Sequence, residues 1–258
     1  MVKLIKELYN YRQLLKSNVR KEIRGKYKGS FLGVLWSFVN PLLTTLVYAI
    51  VFPFLLKGAQ EHYTTFIVIA ILPWNWFTTI IAQGTSTILG NGNILKKVYF
   101  PREILPISIN VSGLINFLIS CLIICIFLIF SGIGFSWYII FLPIIVLIQF
   151  ILLQGIIFIT GSINVYIRDL EYIINFFISM LFYATPVLYS MSMFPKKIQS
   201  ILRLNPMTTI IESYRDIFFY KQMPNLTNLG LVFILSLVIL FVGIKIFKKL
   251  EKGFAEEL

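Results

Sequence analysis

Charge is scarce in this 258-residue sequence: Asp, Glu, Lys and Arg make up 13%, against 58% hydrophobic residues and a mean hydropathy of +0.84. Soluble domains are about 45–50% apolar, so a water-soluble fold could not hide this much apolar surface. Histidine is nearly absent. His62, beside Glu61, is the only one, so an imidazole-based metal or acid–base site lacks a second ligand and a zinc site is not expected. The two cysteines, Cys121 and Cys125, stand four apart in one apolar run. One helix face does not offer disulfide geometry, and they read as packing residues. No G-x-x-x-x-G-K-[ST] phosphate loop, H-E-x-x-H or G-x-S-x-G occurs, which leaves the chain without those devices for nucleotide hydrolysis, zinc hydrolysis or acyl transfer. The apolar runs also lack the central ionisable residues that ion-coupled pumps place along their path. If the chain transports anything, the energy comes from a partner protein.

What the sequence does have is long apolar runs. Crossing a hydrocarbon core of about 30 Å takes roughly 20 helical residues, and runs of that size lie at about 32–56, 64–86, 104–130, 137–165, 172–190 and 227–247. Pro41, Pro53, Pro73 and Pro143 fall inside them, which membrane helices tolerate where neighbours re-satisfy the freed backbone groups. Lys and Arg outnumber Asp and Glu by 23 to 11. Nine of the 23 precede residue 31, and Lys96, Lys97, Arg102, Arg168, Lys245, Lys248, Lys249 and Lys252 fall on the same side if that end is inside. The positive-inside rule then predicts both termini in the cytoplasm. The basic residues cluster at chain ends and between apolar blocks, a membrane pattern and not a nucleic-acid one.

Two segments do not fit a plain bundle. In residues 1–30, Leu4, Ile5, Leu8, Tyr11, Leu15 and Val19 recur at helical spacing with cations on other faces, which predicts an amphipathic helix in the inner interface; a merely solvated basic leader is the plainer reading. Residues 198–220 are apolar enough to bury but carry Arg203, Glu212, Arg215 and Asp216. An Arg or Asp at the bilayer centre costs about 2.5–3.5 kcal/mol, and Asn205-Pro206 splits the run into pieces too short to cross. Two short helices dipping in and turning back are expected; Glu212 stands at helical neighbour spacing from Arg215 and Asp216, and a local ion pair to the arginine is expected. The fold class predicted is therefore an all-α integral membrane protein: six transmembrane helices, an N-terminal amphipathic interfacial helix (1–30), and one transmembrane domain (31–258) with a re-entrant helical pair between the fifth and sixth spans.

The stretch Arg24-Gly25-Lys26-Tyr27-Lys28-Gly29-Ser30-Phe31-Leu32-Gly33-Val34-Leu35-Trp36, followed by Asn40-Pro41, resembles the opening of the ABC-2-type permeases that export lipid-linked polysaccharides. Further matches run along the chain. Lys96-Lys97-Val98-Tyr99-Phe100-Pro101-Arg102 is similar to that family's coupling segment, and Arg168-Asp169-Leu170 to its turn before the fifth span. Thr185-Pro186-Val187-Leu188-Tyr189, Leu204-Asn205-Pro206-Met207 and Glu212-Ser213-Tyr214-Arg215-Asp216 resemble the end of that span and the external gate.

The resemblance implies a homodimer in the bacterial cytoplasmic (inner) membrane, bound to two copies of an ABC ATP-binding subunit. That subunit would hold the ATP and Mg, with no cofactor or metal on this chain. The implied substrate is a polyprenyl-diphosphate-linked glycan of O-antigen type; wall teichoic acid or capsule polymer stays open as the cargo. Coupling to the ATPase falls to Asn93, Ile94, Leu95, Lys96 and Lys97 with Leu8, Tyr11 and Leu15. Arg20, Arg24, Lys26 and Lys28 are candidates for the lipid diphosphate, or simply the positive-inside anchor. Sugar polymers present hydroxyls and apolar C–H faces, so Trp36, Asn40, Tyr48, Phe52, Phe176, Tyr183 and Tyr189 are candidate channel-lining residues; helix-to-helix contact is the alternative for each. The gate would comprise Asn205, Pro206, Glu212, Arg215 and Asp216. A membrane enzyme acting on polyprenyl-linked sugars would need a polar catalytic cluster, and Arg168, Asp169 and Glu171 form the only compact one on the inside. A channel or assembly scaffold would work without nucleotide.

Overall fold

A computed structural model describes residues 7–25, 36–55 and 61–258, and all regular structure among them is helical. The N-terminal helix α1 (Arg12–Gly25) follows a helical stretch over residues 7–10 and a turn at Tyr11. Then come α2 (Trp36–Leu55), α3 (Tyr63–Gly90), the one-turn α4 (Gly92–Leu95) and α5 (Ile104–Phe130). A 3-10 turn at Trp137–Phe141 leads into α6 (Leu142–Asn164), followed by α7 (Leu170–Tyr183), α8 (Lys196–Leu202), α9 (Pro206–Phe218), α10 (Leu226–Leu250) and α11 (Phe254–Glu257).

Among the described residues, four helical stretches are long and apolar enough to cross a membrane: Tyr63–Gly90, Ile104–Phe130, Trp137–Asn164 and Leu226–Glu257. They contain the second, third, fourth and sixth expected runs, apart from Val165 at the end of the fourth. The first expected span, 32–56, is described only over Trp36–Leu55. The fifth, expected over 172–190, stops at Tyr183 and has 14 residues, about 21 Å at helical rise and short of a hydrocarbon core. Thr185-Pro186 explains the stop: proline offers no N–H and pushes its predecessor out of the helical region.

The bundle is held by close backbone approach. A Cβ added to Gly155 on α6 would lie 2.6 Å from the Leu240 backbone nitrogen, and one on Gly243 of α10 would lie 2.6 Å from the Gly155 carbonyl. The same device joins α6 to α3, where a Cβ on Gly161 would lie 2.7 Å from the Gly84 carbonyl. With no hydrophobic drive between helices in lipid, small residues and hydrogen bonds do this work. Thr85 Oγ1 donates to Thr160 Oγ1 at 2.9 Å, Gln149 Nε2 to the Pro73 carbonyl at 2.8 Å, and Asn110 Nδ2 to Gln154 Oε1 at 3.0 Å.

Two apolar cores result. The larger joins α3, α5, α6, α9 and α10 around Phe66, Ile80, Phe117, Ile148 and Tyr214. The smaller lies at the basic end, around Ile88, Phe100, Ile104, Phe247 and Phe254, and Leu8, Leu14 and Leu15 pack on it from the N-terminal segment.

Candidate functional site

The sequence-derived residues fall into three places: the basic end, the middle of the helices, and the end opposite the basic one. At the basic end, α4 turns Asn93 and Ile94 outward, and beyond it Lys96, Lys97, Val98 and Tyr99 are also exposed, Tyr99 by 93%. Leu95 points the other way, 8% exposed, into the smaller core, where Leu8 and Leu15 also pack. Of these three residues expected to couple to an ATPase, Leu95 is buried in the chain's own core and Leu8 and Leu15 are half-buried against it. Tyr11 stays exposed. The segment is tied down by Lys21 Nζ, 3.1 Å from Asn91 Oδ1, and by Asn91 Nδ2 donating to the Thr87 carbonyl at 2.8 Å. Beside it, Lys248 Nζ lies 3.0 Å from the buried Glu103 carboxylate, and Arg102 donates to the Glu251 carbonyl while lying over the Phe254 ring. Arg20 and Arg24 are exposed on α1; Lys26 and Lys28 lie outside the described residues.

At mid-helix, a cavity of about 520 Å³ opens between α2, α3 and α5. Its walls carry Trp36 and Asn40 from the candidate lining set, together with Asn75, Trp76, Gln83 and Asn116. The last four were missed by sequence reading, although polar residues at turn spacing on α3 (Asn75, Thr79, Gln83) were there to be counted. Trp76 stacks on Phe117 with ring centroids 4.7 Å apart. Residues 72–83 and 113–120 on the cavity wall lie around the midpoints of α3 and α5. The other candidate lining residues do not reach this cavity. Tyr48 stacks on Phe182 at 6.4 Å, Phe176 and Tyr183 are exposed on α7, and the Tyr189 hydroxyl donates to the Tyr183 carbonyl at 2.9 Å. The Phe52 side chain lies outside the described residues.

At the opposite end, α8 and α9 occupy the segment expected to form the helical pair. Asn205 caps α9, its side chain accepting from the Met207 N–H at 3.0 Å, and Pro206 takes the first helical position, where its missing N–H costs nothing. Asn205 Nδ2 also donates to Thr185 Oγ1 at 2.8 Å, fixing the start of α9 against the loop after α7. The expected pairing of Glu212 with Arg215 is not formed. Arg215 is 2% exposed and donates to the carbonyls of Pro186, Val187 and Tyr189, with its guanidinium carbon 3.5 Å from the Phe66 ring centroid. The loop after α7 has carbonyls that its broken helix no longer satisfies, and the planar fork of arginine suits them better than one carboxylate. Glu212 instead lies 3.7 Å from Arg203. Glu212 and Asp216 border a second cavity of about 420 Å³ with Tyr220, Asn225 and Asn228. Burial pushes both carboxyls above their ordinary values, opposed at Glu212 chiefly by Arg203 and at Asp216 by a hydrogen bond from Gln222.

A bundle of membrane-length helices around a polar cavity at mid-height is the architecture of a helical membrane protein. The chain belongs to the ABC-2 type transporter family, whose model matches residues 13–219. It is 36% identical to the O-antigen export system permease protein RfbA of Myxococcus xanthus over 260 residues, covering all of both chains. It is also 33% identical to an O-antigen export system permease protein RfbA of Klebsiella pneumoniae over 240 residues, covering 92% of each. Family membership makes this chain the membrane subunit of a transporter and not an enzyme.

Proposed function

We propose that this chain is the permease subunit of an ABC exporter that carries a polyprenyl-diphosphate-linked polysaccharide of O-antigen type across the bacterial cytoplasmic membrane. The observation that carries this reading is the 36% identity to an O-antigen export permease over a match that covers all of both chains. In this reading α2 and α7 join the four longer helices as six spans, and both termini lie in the cytoplasm. The basic end then faces an ATP-binding subunit, present in two copies against a homodimer of this chain. Exposed Ile94, Lys96, Lys97, Val98 and Tyr99 suit insertion into a groove of that subunit. The helices α8 and α9 form a re-entrant cap on the outer side, with Arg215 holding it shut.

Deleting the gene in its host tests the assignment. Surface polysaccharide is expected to disappear while lipid-linked glycan accumulates inside, and a copy of the gene is expected to restore export. Accumulation of a phosphate-rich polymer instead would assign a teichoic acid, and unchanged surface polymers would reject the exporter.

A further inference from the structure

The cavity between α2, α3 and α5 is built unlike a packing defect. Its walls bring together four carboxamides, Asn40, Asn75, Gln83 and Asn116, from three helices. Three polar atoms in these walls, Trp76 Nε1, Gln83 Oε1 and Asn116 Oδ1, are buried with no hydrogen-bond partner among the described residues. Buried polar groups left unpaired are costly, and these three find partners only if their side chains turn toward the cavity and meet an occupant there. The volume, about 520 Å³, falls within the range of small-molecule sites, about 300–1,000 Å³.

Gly113 lets α3 approach α5 closely at the cavity wall: a Cβ there would clash with the Ile80 side chain and sit 3.1 Å from Trp76 Nε1. Leu72, Ile80 and Phe117 add an apolar wall to the lining. Water could pair with the amides but gains nothing from that wall. A sugar ring uses both, because its hydroxyls donate and accept as carboxamides do, while its C–H faces pack on apolar and aromatic surface.

No charged side chain is among the described residues lining the cavity. A phosphate or carboxylate entering at this depth would lose its water without gaining a counter-charge, which strongly disfavours it. We infer that this cavity is a saccharide subsite within a single protomer that accepts neutral sugar units and rejects anionic ones. The inference rests on the exporter reading for its biological meaning, and it names the substrate class within it: a polymer whose repeating units are uncharged.

The full chain in lipid nanodiscs is titrated with maltotetraose and, separately, with a glycerol phosphate tetramer, following tryptophan fluorescence. Trp36 and Trp76 in the cavity walls report occupancy. A saturable change with the neutral probe is expected, with the anionic probe roughly tenfold weaker or more. Asn116→Leu and Gln83→Leu are each expected to weaken the neutral probe by about tenfold. No saturable response, an equal response to the anionic probe, or unaltered binding in both variants overturns the subsite and leaves a cavity that holds water alone. Should the variants fail to fold, a diazirine-bearing maltotetraose cross-linked to the wild-type chain decides: labelled peptides from α3 and α5 are expected, and labelling confined elsewhere rejects the proposal. The readouts separate the two ideas. A chain that binds sugar but exports no polymer loses the exporter reading and keeps the subsite, while an exporter whose cavity ignores neutral sugar does the reverse.

Discussion

Arg215 is a cation placed where a charge is expensive, and what it touches explains why it is there. Its donors meet three carbonyls in the loop after α7 and its flat face lies on Phe66, so one side chain staples α9 to that loop and to α3. Replacing it by Ala leaves buried carbonyls unpaired, at about 1–3 kcal/mol each. Arg215→Ala is expected to melt several degrees below wild type in detergent and to make vesicles containing the chain leaky to small solutes. Lysine is a point charge that cannot span three acceptors, so Arg215→Lys is expected to fall nearer Ala than wild type; a wild-type melt for the Lys variant would reject the staple. Sequence reading singled out Arg215 and gave it a partner it does not have. Spacing along a helix shows what stands three or four positions away, and the carbonyls of residues 186–189 become neighbours only through the tertiary fold.

At the scale of elements, the helices themselves were legible. The runs expected at 104–130 and 64–86 correspond to α5 and α3, because uninterrupted apolar length in a chain this poor in charge has few other uses. What periodicity could not display was how closely those helices approach. The crossing of α6 and α10 turns on Gly155 and Gly243, each filling its place with no side chain at all. Gly155→Leu is expected to separate the two helices and abolish folded yield in membranes. Gly230, on the same α10, has open space around a notional Cβ, and Gly230→Ala is expected to hold or raise the melting temperature by removing unfolded-state freedom. Equal tolerance at both positions would refute the close-approach account. The early end of α7 also had a visible cause in Thr185-Pro186, a boundary signal that a hydropathy count overrides.

For the whole molecule, the two ends ask for different things. The basic end leaves Val98 and Tyr99 uncovered in an otherwise polar setting, the pattern of an anchor awaiting a groove. Tyr99→Asp is expected to weaken co-purification with the ATP-binding subunit by about 2 kcal/mol or more, roughly thirtyfold, without moving the melting temperature. Leu95→Ala, aimed into the chain's own core, is expected to lower the melting temperature; if it instead breaks the complex at unchanged stability, the inward assignment of Leu95 is wrong. At the other end, Tyr214 and Arg215 are consecutive on α9. The Tyr214 ring packs edge-on against Phe117 at 5.8 Å, in the wall of the mid-helix cavity, while Arg215 grips the loop after α7. Helix α9 cannot tilt far enough to release that loop without dragging the Tyr214 ring off Phe117. Were α9 to tilt, the grip on the loop and the contact at the cavity wall would loosen together, and a label at either station would register the same movement.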